Sequence, residues 1–565
     1  MRKLRWQLLI VLVSLVAIAV LLVGQQRVVL PGVEPVDAPV SGGVYSEALI
    51  GTLGRLNPVL DYYSPADHDV DRLIFSGLVR FDDRGLPHGD LADSWGISQD
   101  GTVYNFLIRS QAVWHDGEPV TSEDVIFTVE LLRDEAIPLP VDLHNFWNQV
   151  EVKALDDSTL QFILPEPFAP FLDYLTFGVL PEHLLGGYTA DEIIQAEYNI
   201  KPVGSGPYRF QGLEAENGNI KGVVLSAFQE YYGRPAYIDQ FVFRYYPDAQ
   251  AAMSAYEAGE VMGISQITQD VLQKALRTPE LNLFTGRLPR LTLIFLNLDS
   301  PDLPFFQDIA VRRALLEGIN RRWIIDRILG GQAILAHAPI FPDNWAYYEG
   351  GARVEYDPQQ AVAALKKAGY TIPAEGGNVR EKDGVSLSFE LVYPDSEPYT
   401  KIAEWVQGEW ERLGVEAKLK AVPYEELMQD YLEPRSYQAA LVELNLAHSP
   451  DPDPYPFWHQ AQANTGQNYS QWDDRQVSEY LEQARVNVDV ADRTKLYRNF
   501  QVRFGNDVPA LLLYYPVYTY ALDAQVKGVS MGPLYDPSDR FMNVTDWYLL
   551  IGRAEPKAET ATPVP

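Results

Sequence analysis

The chain of 565 residues contains no cysteine, which excludes disulfide bonds, thiolate catalysis and cysteine-ligated metals. Positive charge is scarce as well: 45 Lys and Arg face 77 Asp and Glu, a formal charge of −32. Such a field repels phosphate backbones and anionic lipid headgroups, so nucleic-acid binding is not expected. Common enzyme signatures are missing: there is no Gly-x-Ser-x-Gly elbow, no His-Glu-x-x-His helix and no Gly-rich phosphate loop. The eight histidines are scattered. His448 and His459 lie near each other in sequence, but one pair without a third ligand is little on which to build a metal centre. Carboxylates are abundant, so a secreted glycosidase with two catalytic acids is the enzyme class that composition leaves open. No internal repeat is evident.

What is present points to a large globular protein. With 47% hydrophobic residues, 33 Tyr and 11 Trp, the chain has material for cores and for an aromatic cleft. At this length one core is not enough, and two or three domains are expected. Arg2, Lys3 and Arg5 precede an apolar run from Leu8 to Val23 interrupted only by Ser14. This is an export signal, with the basic end inside and the bulk of the chain outside the cytoplasm. Its length favours an uncleaved anchor over a cleaved signal, although Ala17-Ile18-Ala19 fits the small-residue cleavage pattern. Residues 25–41, rich in Pro, Val and Gly, read as a tether, and 553–565 as a disordered tail.

Between these ends helix and strand signals alternate in the manner of an α/β protein. Tyr104, Phe106 and Ile108 alternate along a strand, Asp116-Gly117 makes a turn, and Thr121 with Asp124 forms a helix start before Val125, Thr128, Val129 and Leu132. In that setting His115, Asp116 and Glu118 are turn and cap residues rather than a metal cluster. Asp357 caps a helix that carries Pro358 in its first turn, turns Val362, Leu365 and Ala368 inward and stops at Gly369. Another helix follows Asp308, with Val311, Leu315 and Ile319 inward and Arg312 and Arg313 outward. Leu291 to Leu298 and Ala510 to Tyr515 are nearly all apolar and read as strands buried on both faces.

Several segments stand in a fixed order. They are Leu56-Asn57-Pro58, Ile74 to Arg80, Leu91-Ala92-Asp93-Ser94-Trp95, Trp114 to Val125, Pro202-Val203-Gly204-Ser205-Gly206-Pro207-Tyr208, Tyr231-Tyr232-Gly233-Arg234-Pro235, and Val311-Arg312-Arg313-Ala314-Leu315 with Ile319-Asn320-Arg321. Together they resemble the family 5 extracellular solute-binding proteins, the oligopeptide and dipeptide type of substrate-binding protein for ABC importers. The resemblance implies a two-lobed, periplasmic-binding-protein-like α/β fold of the large three-domain type, behind an N-terminal membrane segment at 1–24. The core lobe is placed in 42–72, 200–288 and 508–552, the inserted domain in 73–199 and the second lobe in 289–507, with hinge crossings near 288 and 507. It implies no enzymatic activity and no cofactor. The implied partners are an oligopeptide or similar solute, ABC permease subunits and, through the N-terminal segment, the cytoplasmic membrane, with the protein acting as a monomer. Oligosaccharide- and nickel-chelate-binding members of the family are the alternatives. Many members are anchored through an acylated cysteine, a device this chain lacks.

The cleft candidates centre on Glu443 to Gln460, whose four prolines reduce the entropy of a loop that presents side chains in one arrangement. The segment is similar to the Asp-Pro-Asp loop with which family members face the cleft. Peptide binders carry a Trp and then an Asp shortly before it, the Asp pairing with the ligand's α-ammonium group; here Asn445 and His448 stand in that neighbourhood. Imidazole does not replace a carboxylate as partner for a cation, so Asp451 or Asp453 is expected to take over. Tyr455, Asn297, Trp345, Tyr347 and Tyr208 complete the ligand-binding set. For each aromatic, core packing is the competing reading.

Overall fold

The computed structural model describes residues 39–446 and 450–550. The 1–24 segment, most of the 25–41 tether and the 553–565 tail lie outside the described residues. Among those that are described, no helix is long and apolar enough to cross a membrane.

One strand organises the molecule. Ala510–Asp523 pairs antiparallel through its first part with Arg290–Leu296, where Phe295 faces Ala510, and through its second part with Leu281–Arg287, where Arg287 faces Val517. The first half of the resulting 12-stranded sheet continues through Gly263–Ile264, Val44–Ile50, Gln240–Tyr246, Asn219–Ala227 and Tyr208–Glu216. The second half continues through Ala439–Asn445, Ser388–Pro394 and Glu416–Val422, the last two parallel to each other. The chain passes from one half of the sheet to the other at Leu288-Pro289 and again at Pro516. The apolar run at 510–515 continues into Val517, Tyr518, Tyr520 and Leu522, so one strand serves both halves. Pro516, without an N–H to donate, stands where the ladder changes partner.

Alternation in the second half behaves as the sequence implies. Ile294 and Leu296 enter the core on one face of the sheet, while Leu291, Leu293 and Phe295 enter the core on the other. The expected inserted segment forms its own sheet, ordered Ala92–Ile97, Val103–Ile108, Thr159–Ile163, Glu151–Asp156, and the helix Ser122–Arg133 packs against Glu151–Asp156. Its core is continuous with that of the first half, Tyr104 and Phe106 belonging to the same buried cluster as Leu73 and Tyr208. Asp124 does more than cap: its oxygens accept from the N–H groups of Thr121 and Glu182, each at 2.8 Å, so helix start and neighbouring segment share one carboxylate.

The turn at 204–206 joins two of the matched segments. Gly206 N–H donates to Ile74 O at 2.7 Å, and a Cβ on Gly204 would meet Ile74 O at 2.0 Å, so a glycine is required for this close approach. His115 sits on the same turn, Nδ1 accepting from Gly204 N–H and Nε2 donating to Gly206 O, each at 3.1 Å. Burial pushes its pKa down to about 4, so the ring is a neutral structural clip.

One helix prediction is corrected. On Ile309–Glu317 the expected inward face is buried, yet Arg312 is buried too. Its Nε donates to Asp507 O and Val508 O at 3.0 Å and Nη1 to Phe306 O at 2.7 Å, while Arg313 reaches Gly505 O at 3.2 Å. Both guanidinium groups satisfy carbonyls at the C-terminal end of the helix Val490–Asp507, where cations are favoured.

Candidate binding cleft

The loop after Ala439–Asn445 lies where the halves meet. Asp451 N–H donates to Asp173 Oδ2 at 3.0 Å, from the inserted segment, while its own carboxylate takes Arg493 in a fork, Nη1 to Oδ2 at 2.5 Å and Nη2 to Oδ1 at 2.7 Å. Arg493 is flanked by the rings of Trp345 and Tyr497 at 5.1 and 5.4 Å and donates through Nε to Ala484 O at 2.8 Å. Burial opposes its charge and Asp451 more than restores it, so its pKa lies above the ordinary value. Asp173 is helped less by the same arginine. Burial first, and Asp451 second, hold its carboxyl well above the usual carboxylate range.

Asp453 is paired less deeply, accepting from Arg485 Nε and Nη2 at 2.9 Å each. That guanidinium packs on Tyr455 at 4.2 Å and reaches the Phe168 ring, across the boundary, at 5.2 Å. Tyr455 in turn stacks on His459 at 4.1 Å. His459 is fully engaged within the protein: Nε2 donates to Glu482 Oε1 at 2.9 Å and Nδ1 accepts from Ala461 N–H at 3.0 Å. Neither nitrogen is available to a metal, and among the described residues no group of three suitable side chains could hold one.

A second contact between the halves lies at the turn 82–86. Asp82 Oδ1 accepts from Arg84 and Leu86 N–H at 2.9 and 2.8 Å, and Trp345 N–H donates to Arg84 O at 2.9 Å. Asn344 Nδ2 donates to Pro450 O at 2.9 Å. Gly85 has φ +76°, and a Cβ there would lie 2.7 Å from Tyr535 Oη and 2.8 Å from Pro450 O, so conformation and space both require glycine. A cavity of about 370 Å³ lies between the turn Gln99–Gly101 and residues Gln483, Val486–Val488 and Leu496; none of the sequence-selected residues lines it.

The nine selected residues divide by placement. Tyr208 is in the core, edge-on to Phe241 at 5.5 Å with its hydroxyl on Ile238 O at 3.2 Å; the glycine turn that carries the motif feeds it inward. Asn297 is buried as a strand-end clip, its Nδ2 donating to Tyr437 O and Arg435 O at 3.0 and 3.1 Å. Trp345 is buried against Arg493, and Tyr347 is half-buried beside it. Asn445 is exposed at the end of its strand, and Tyr455 is half-buried. His448 lies outside the described residues. Asp451 and Asp453 stand at the boundary, but arginines already satisfy their charges, so neither is a free partner for an ammonium group. The sequence reading missed Arg485, Arg493, Asp173 and the 82–86 turn. They are separate in sequence, and no spacing signal links them to the loop they fix.

A family model of bacterial extracellular solute-binding proteins, family 5 (middle), matches residues 87–467. The chain belongs to this family. It is 26% identical over 527 residues to the oligopeptide-binding protein AppA of Bacillus subtilis, covering 90% of this chain and 92% of that protein. It is 25% identical over 537 residues to the dipeptide-binding protein of Escherichia coli, covering 89% and 96%. Among solved structures, HbpA2 from Haemophilus parasuis superposes with a TM-score of 0.77 at 22% identity, over 90% of this chain and all of that one, which supports the fold alone. As a member, the chain is the extracytoplasmic solute-binding component of an ABC importer.

Proposed function

We propose that the protein captures an oligopeptide or similar peptide-like solute between its two halves, closes about the crossings at 288–289 and 516, and delivers the solute unaltered to a membrane permease. The observation that carries this reading is the Asp451 junction: a carboxylate anchored by Arg493 in the second half donates its backbone N–H to Asp173 in the inserted segment. A contact of this kind forms when two bodies shut against each other, the motion typical of periplasmic binding proteins. The names of the curated relatives, oligopeptide- and dipeptide-binding, favour a peptide over a sugar. Capture of a nickel chelate is disfavoured because both nitrogens of His459 are occupied.

In this reading Asp451, Asp453 and Trp345 set the shape of the cleft wall, and Tyr347, Tyr455 and Asn445 meet the solute, with aromatic burial and main-chain hydrogen bonds supplying affinity. The apolar segment from Leu8 to Val23 tethers the protein to the membrane, which carbonate extraction of membrane fractions tests. The function itself is tested by thermal shift with di- to pentapeptides, oligosaccharides and nickel–histidine. A ligand specific to the native state stabilises it by about 2.7 kcal/mol at a hundredfold excess over Kd. Shifts with peptides are expected, and shifts confined to sugars or nickel–histidine would replace the peptide reading.

A further inference from the structure

Three acids and two guanidinium groups share the seam between the inserted segment and the second half. Arg493 takes Asp451 in its fork, and Arg485 takes Asp453. Asp173 is left over. It is 8% exposed, and among the described residues no cationic side chain forms an ion pair with it; what it holds is the N–H of Asp451, at 3.0 Å.

The elements packed around Asp173 supply the charges that act on it. The loop brings Asp451 and Asp453, the helix Val490–Asp507 brings Arg493 with the Tyr497 hydroxyl, and the helix Arg475–Val486, which packs on Ala169–Leu175, brings Arg485. On its own side stand Tyr174, stacked on Phe146 at 3.9 Å, and Tyr104, which packs on Phe171 at 4.8 Å. Both phenols are pushed up to about 12 by burial and stay neutral, and exposed Asp142 acts on Tyr174. Two positive charges thus face three acids. The count balances with one proton on an acid, and burial together with Asp451 places it on Asp173, which lacks a guanidinium partner of its own. Parting the halves removes the imbalance. Asp173 lies in the inserted segment and the other four groups in the second half, so in the parted form water reaches its carboxyl and no acid lies beside it.

We propose that Asp173 is a positioning residue of the cleft that works as a neutral acid, each closure of the halves taking up one proton there, so that solute capture tightens as pH falls. The proposal rests on the closing motion of the peptide reading and deepens it. As an acid, Asp173 accepts the Asp451 N–H and fixes the loop that carries Asp453 and Tyr455. As a carboxylate it sets a third negative charge against that loop and loosens it. The proton comes from solvent and returns there on reopening, so no other bond changes. The closed form holds the proton more tightly than the open one. This group's contribution to closing is therefore complete below the ordinary value of 3.8 and is lost progressively as pH rises through the raised one, by up to about tenfold per pH unit.

The test is isothermal titration of the full chain with di- to penta-alanine between about pH 4.5 and 6.5, where these peptides keep essentially one charge state. Two buffers of different ionisation enthalpy count the protons taken up. Affinity should fall about tenfold or more across that range, with uptake of up to about one proton per binding event. Asp173→Asn keeps an acceptor for the Asp451 N–H and does not ionise, so it should retain the low-pH affinity throughout and take up no proton. Asp173→Ala, without the acceptor, should bind weakly at every pH. Because the chain has no cysteine, spin labels at Leu155→Cys in the inserted sheet and Lys366→Cys in the second half, both exposed, report closure without any solute. Their short-distance population should grow as pH falls, and Asp173→Asn should abolish that response.

Affinity independent of pH in the unmutated protein overturns the assignment and leaves the peptide reading standing, a result that needs no variant to fold. A slope that survives Asp173→Asn overturns it as well. If no alanine peptide binds, the peptide reading falls while the label distances still decide: a response to pH that Asp173→Asn abolishes upholds the proton-linked closure, and a distribution insensitive to pH overturns it.

Discussion

Two buried arginines on either side of the boundary are treated in opposite ways. Arg493 sits between aromatic rings with Asp451 in its fork and a carbonyl on its Nε. Arg287 sits over the Phe341 ring with Tyr535 as neighbour and no carboxylate in its fork. The first arrangement fixes geometry: the charge is neutralised internally, and the loop is held whether or not a solute is present. The second leaves a demand for negative charge at the place where the halves join. Abundant acid in the composition does not tell these cases apart, because what matters is which acid is within reach.

The comparison can be broken by removing one arginine at a time. Arg493→Met strands Asp451 beside Asp173, and breaking a buried pair this way costs about 3–5 kcal/mol; urea denaturation should show a loss of that size. Arg287→Met should act with the opposite sign, gaining about 1 kcal/mol or more in the ligand-free protein because a desolvated, unpaired charge is removed. Equal losses in both variants would mean that Arg287 is a structural pair whose partner has been misjudged.

Acidity sharpens the contrast at Asp173. Its folded pKa is raised by burial and by Asp451, so the native state holds the proton more tightly than the unfolded chain. Stability from this group is therefore greatest at low pH and declines as pH rises from the ordinary value of 3.8 through the raised one. Asp173→Asn should flatten that decline in a series of denaturation curves while keeping an acceptor for Asp451 N–H. The smallest effect is expected at Arg485, whose side chain is 30% exposed. Solvent screens its pair with Asp453, so Arg485→Met should cost under about 1 kcal/mol, but it should loosen Tyr455 and weaken peptide binding in the same titrations.

Much of the frame was legible in residue order. Alternation at Tyr104, Phe106 and Ile108, the unbroken run from Leu291, and the Asp357-Pro358 start report local periodicity, and local periodicity is what a sequence displays. Arg312 was misread for the complementary reason: its partners are carbonyls at the end of a helix nearly 200 positions away, and nothing local marks them. Tyr208 shows the limit of a matched motif, since the glycines before it exist for a close approach to Ile74 and carry the ring into the core. The loop at 450–455 packs on the inserted segment through Asp451 and Asp173. Which of its charges are free could not be read, because that depends on arginines 32 and 42 positions further along.

The crossings at Leu288 and Pro516 are not independent threads: Leu288 N–H donates to Pro516 O at 3.0 Å, tying them side by side. A pair of backbones laced in this way behaves as a ribbon, easy to fold across its width and stiff against shear or torsion. The lobes should therefore swing like a door on a single pin, meeting the same edges at every turnover, and a side chain beside the pin feels each swing.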